Sequence, residues 1–181
     1  MISLFLFACE DSETNNIQNE VDALDTDGAK QKYLEAIMYR DQVYRKKTKE
    51  LIQKYGHSSP EVQENERAMV MQDKVNIKKI KAYLDTYGYP SITRYGSEAN
   101  TAPWMVFHHS GDFKLGQEYF SLFYKSWKDK VLGADDFSFY LNRLHRIKNG
   151  SLIKMPGAFR DEQLIDTLIR TLKLEPVRGT N

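Results

Sequence analysis

The chain has 181 residues, 41% of them apolar and 28% charged, with a formal net charge of +1. That length suits one domain with a tail and buries a core without covalent staples. A single cysteine excludes an intrachain disulfide, the near-zero net charge gives no field to draw in nucleic acid, and no apolar run nears the roughly 20 residues of a bilayer span.

The chain opens with a mostly apolar stretch, Ile2 to Ala8, in which a small residue meets the only cysteine. Leu6-Phe7-Ala8-Cys9 resembles a bacterial lipoprotein lipobox. That resemblance implies that residues 1–8 are a signal remnant and that a lipidated Cys9 is the mature N-terminus. It also implies a lipid-anchored location in the cell envelope, at the outer membrane. Glu10 and Asp11 resemble the acidic export signal behind the cysteine of surface lipoproteins in the Bacteroidetes. The alternative is an apolar N-terminus with an incidental cysteine. From Glu10 to Gly28 there is no Lys or Arg and few large apolar residues, so residues 9–28 are expected to form a flexible acidic tether.

Residues 29–175 are expected to form a helical domain. From Ala29 to Tyr55, Leu34, Ile37, Met38, Tyr44, Leu51, Ile52 and Tyr55 recur at three- and four-residue steps. Gly56 ends that helix, Ser58 or Ser59 caps the next, and Pro60 sits in its first turn. The second helix runs to about Tyr87, with Val62, Met69, Val70, Ile77, Ile80 and Leu84 as its stripe. Both stripes contain acids. Asp41 follows Ile37 by four residues, with Arg45 one turn on; Asp73 stands four from both Met69 and Ile77, with Asn76 one turn further. A buried carboxylate needs a partner, because leaving it bare costs several kcal/mol. Two readings stand: an ion pair that sets how the helices register, or polar groups lining a shared pocket.

Gly88 and Pro90 stop the second helix, and Ser91 to Tyr95 is expected to be extended or loop. Ser97 is an N-cap candidate for a helix from about Glu98 to His109, which places Trp104, Met105 and His108 on one face and Ala102, Val106 and His109 on the next. Adjacent histidines on a helix diverge by about 100°, so His108 and His109 do not make a metal pair, and no metal site is expected. Asp112 to Leu132 reads as a helix with an aromatic core stripe of Tyr119, Phe120, Phe123, Tyr124 and Trp127. After Gly133, another helix turns Phe137, Tyr140, Leu141 and Leu144 inward, with Arg143, His145 and Arg146 toward solvent or a pocket. Lys148 to Gly157 reads as loop and about Asp161 to Leu172 as a last helix. The pattern predicts an all-α irregular bundle of about five to six helices, the two long N-terminal ones packed on the central one.

The stretches MYRDQVYR, DKVN, YGYPSITRYGSEANTAPWMVFHHSGDF and YLNRL resemble the segments of an uncharacterised bacterial domain family. Its elements are DQxxR, DxxN, a GWP turn, a QHA-like segment with an acid soon after, and a DR element followed by YGTQ. Asp41, Gln42 and Arg45 match the first, Asp73 and Asn76 the second, Gly88-Tyr89-Pro90 the turn, and His109 the histidine. Arg143 resembles the arginine of the fourth, with Asn142 in place of its acid, and SLIKMPGAF stands where YGTQ would. The resemblance implies a fold type and a candidate pocket, not a reaction.

No Gly-rich phosphate loop, GxSxG or Cys-His pair is present, and no cofactor is implied. Arg45, Lys46, Lys47 and Lys49 read as a solvated face, not a nucleic-acid patch. Three functions follow. The domain binds a small polar ligand through Asp41, Gln42, Arg45, Asp73, Asn76, His109 and Arg143. Or it is a hydrolase of an envelope component, with His109 as acid or base. Or it is a structural module that binds an envelope protein.

Overall fold

Helix signals in the sequence translate directly into boundaries. A computed structural model describes residues 3–153 and 162–176, with side chains from 12 onward. Among the described residues it is all helical, with seven α-helices and no strand. The chain divides after Gly88 into two units, residues 1–88 and 89–181, where the sequence suggested one helical domain over 29–175.

The first unit holds α1 (Ser3–Asp22), α2 (Asp27–Tyr55) and α3 (Pro60–Tyr87). Thr26 caps α2, its hydroxyl accepting from the Ala29 amide at 3.1 Å, and Ser59 caps α3 through the Val62 amide at 3.3 Å. Gly56 and Gly88 close the two helices at positive φ, each amide donating back to a carbonyl of the last turn. α2 and α3 pack along each other, with Leu34 and Ile37 of α2 and Val62, Ile80 and Leu84 of α3 buried. Val70 and Tyr55, assigned to the stripes by spacing, are exposed.

The expected flexible tether is corrected by α1. Ile17 and Val21, spaced by four, are 4% and 0% exposed, and α1 packs on α3. Two of the acids that suggested a solvated leash have partners on α3. Lys78 donates to Glu13 at 2.6 Å and Lys79 to Glu20. Tyr87 Oη shares its proton between the carbonyls of Val21 and Leu24, at 2.9 and 3.1 Å, at the end of α1 and just past it.

The second unit holds α4 (Ile92–Ser110), α5 (Phe113–Lys128), α6 (Ala134–Asn149) and α7 (Glu162–Leu172). α4 starts earlier than the sequence suggested, taking in the stretch read as extended. It kinks at Gly96, whose φ of 81° and ψ of 172° are closed to most side chains, so Ser97 opens its second limb. Asp112 caps α5, one carboxylate oxygen accepting from the amides of Lys114 and Leu115 at 2.8 and 3.2 Å. The aromatic stripe of α5 is core: Phe123 stacks on Tyr140 at 4.6 Å and Trp127 on Phe137 at 5.3 Å. α5 and α6 approach closely at Gly116, where a Cβ would stand 2.3 Å from a Leu144 methyl.

Buried asparagines fix the loops of this unit. Asn100 donates to the carbonyls of Pro90 and Val131 at 2.7 and 3.0 Å, and Tyr89 Oη donates to the Asn100 carbonyl at 2.8 Å. Asn142 takes the Ile153 amide at 2.9 Å and returns a bond to its carbonyl at 3.2 Å. The loop residues Lys154 to Gly157, Asp161 and the chain beyond Pro176 lie outside the described residues.

Candidate functional site

The polar residues that interrupt the stripes of α2 and α3 do meet. Asp41 lies on the inner face of α2 and is 1% exposed. Arg45, one turn on, lies on the same side of the helix. Its Nη2 donates to Asp41 Oδ1 at 3.2 Å and to both oxygens of Asp73, across on α3, at 3.0 Å each. Gln42 donates to the other Asp41 oxygen at 2.6 Å, so both oxygens of that buried carboxylate are occupied. One guanidinium therefore ties two helices through two carboxylates.

Asn76 is fully buried on α3. Its Oδ1 accepts from Gln72 at 2.9 Å, while its Nδ2 has no partner among the described residues. About three turns toward the start of α3, Asn65 donates to the Tyr44 carbonyl at 2.9 Å and to Thr48 Oγ1 at 2.8 Å, a second polar tie between α2 and α3. Asn65 was missed in the sequence, although it stands three residues after Val62 and four before Met69, the same test that singled out Asp73. An open recess of about 420 Å³ flanks the cluster, lined by Tyr39, Gln42, Val43, Arg45, Lys46 and Lys49.

His109 and Arg143 belong to the second unit. His109 is half-buried on α4, its ring edge-on to that of His108 at 5.4 Å. Arg143 reaches from α6 to the end of α4, Nε donating to the His108 carbonyl at 2.9 Å, a bond that closes one of the last open carbonyls of that helix. His145, read as facing solvent or a pocket, is buried and bonds the Ser151 carbonyl through Nδ1 at 2.7 Å. The side chain of Cys9 lies outside the described residues.

Chemically, the first-unit cluster is an ionic knot with two buried amide atoms near it, Asn76 Nδ2 and Asn65 Oδ1, that lack partners among the described residues. No family model, curated protein or solved structure matches this chain. The motif resemblance therefore rests on the residues of this sequence alone.

Proposed function

We propose that this chain is an envelope lipoprotein, lipidated at Cys9 and held at the outer membrane, whose helical body is a structural or partner-binding module. The anchor is supported by the lipobox-like Leu6 to Cys9 and the acids behind it. The structural role is supported above all by Arg45. One nitrogen of its guanidinium, Nη2, is already shared between Asp41 on its own helix and Asp73 on α3, which ties the two helices together. Removing one partner of such a group leaves a poorly hydrated charge behind, so the knot selects one register of α2 on α3. The order of the motifs supports membership of the uncharacterised domain family they resemble.

A pocket for a small polar ligand is the second reading. It is favoured by Asn76 Nδ2, a buried donor without a partner among the described residues, and by the recess beside Gln42 and Arg45. A thermal melt of Asp73→Asn separates the two. A register lock predicts a fall of roughly 5–10 °C. A binding residue predicts little change or a gain, since site residues are often held at some expense of stability. For the anchor, cells fed labelled palmitate are expected to label wild type and not Cys9→Ser. Unlabelled wild type removes the anchor.

A further inference from the structure

We infer that the outer face of α2 is a membrane-contact surface that rests on anionic lipid headgroups. This goes beyond an anchor at Cys9 and does not require one. α2 turns Leu34, Ile37 and Asp41 toward α3, and the opposite side carries a second, continuous stripe. Its centre is Ala36, Tyr39 and Val43, all exposed; Tyr39 is 69% and Val43 37% accessible. Exposed cations run along it: Lys32 and Arg40 toward the start, Lys46 and Lys47 in the middle, Lys54 at the end. Glu50 lies on the stripe and Glu35 at its edge, so five cations face two acids. From Lys32 to Lys54 the helix rises about 33 Å, at about 1.5 Å per residue.

Charge complementarity selects an anionic occupant, and the apolar part selects a lipid surface over an acidic protein. Three apolar side chains fall far short of the core of a protein interface, which buries about 800 Å² on each partner. A bilayer surface asks for less. Lysine stems lie along the interface with their ammonium groups at the phosphates, and a tyrosine sits at headgroup depth with its hydroxyl wet. A straight stripe on one helix also presents all its cations to a flat surface at once.

The test is co-sedimentation of the full chain carrying Cys9→Ser, so that no acyl chain contributes. The vesicles are equal parts phosphatidylglycerol and phosphatidylcholine, or phosphatidylcholine alone. The chain is expected to pellet with the anionic vesicles only, and less as salt rises. Lys46→Gln with Lys47→Gln is expected to lower the partition about 25-fold, about fivefold for each cation removed. Tyr39→Ser is expected to lower it severalfold, and Lys114→Gln on α5 to leave it unchanged. No binding to anionic vesicles overturns the inference, as does an equal loss in Lys114→Gln. So does tighter binding to soluble polyglutamate than to vesicles with Tyr39→Ser without effect, which would make an acidic polypeptide the occupant.

Discussion

Asp41 and Asp73 accept hydrogen bonds from the same nitrogen, Nη2 of Arg45, at 3.2 and 3.0 Å. One cation thus neutralises two anions, one fully buried and one partly. Removing the cation leaves both carboxylates facing each other across a poorly hydrated seam. Arg45→Leu is expected to cost about 2–4 kcal/mol in urea unfolding. Adding Asp41→Asn and Asp73→Asn to that variant should recover most of the loss, because no bare charge remains. An Arg45→Leu protein as stable as wild type would show that the knot does not hold the helices.

Asn76 makes the opposite prediction. Its Nδ2 is buried without a partner among the described residues, and a donor in that state costs about 1–3 kcal/mol. Asn76→Leu has similar volume and removes that cost, at the price of the bond from Gln72, which is half-buried and able to turn to water. The expected change runs from none to a gain of about 1 kcal/mol. A clear loss in Asn76→Leu would mean that the amide serves a polar partner.

Tyr87 fastens α1 to α3 through two carbonyls, those of Val21 and Leu24. Tyr87→Phe keeps the ring and removes the donor, a loss of about 1 kcal/mol. If α1 opens without the rest of its unit, amide exchange near Val21 should quicken about fivefold while amides in the middle of α2 keep their rates. Unchanged exchange near Val21 would count against α1 being held by this contact.

Asp136, in the first turn of α6, is pushed above the ordinary carboxylate range by burial and then by the neighbouring Asp135 carboxylate. An acid whose folded pKa exceeds its unfolded value holds its proton more tightly when folded. Its contribution favours the fold below the unfolded value, about 3.9, and is lost as pH rises through the folded value. At neutral pH Asp136 therefore works against the fold. Asp136→Asn is expected to melt higher than wild type at neutral pH, with the gain shrinking toward about pH 3. A constant gain across that range would tie the effect to something other than titration.

Local chemistry made part of this structure legible. Gly56, Ser59-Pro60 and Gly88 mark ends that need only neighbouring residues to form, and α2 and α3 end where those residues stand. Asp41 and Asp73 stood out because a carboxylate on an apolar stripe has to find a partner, and Arg45 was within one turn of the first. α1 was not legible, because the lysines and tyrosine that hold it come from α3, far along the chain. Arg143 was singled out by its resemblance to a motif arginine, but its observed bond goes to a backbone carbonyl at the end of α4, and no spacing rule reveals that. Asn142 and His145 hide for the same reason, their partners being main-chain groups in the loop that follows α6.

The burial of Ile17 also sets a reach. Ile17 is already packed on α3. A chain acylated at Cys9 would have only seven residues between its lipid and Ile17, about 12 Å from one to the other at helical rise. Such a protein keeps its first packed helix close to the bilayer instead of swinging on a long stalk.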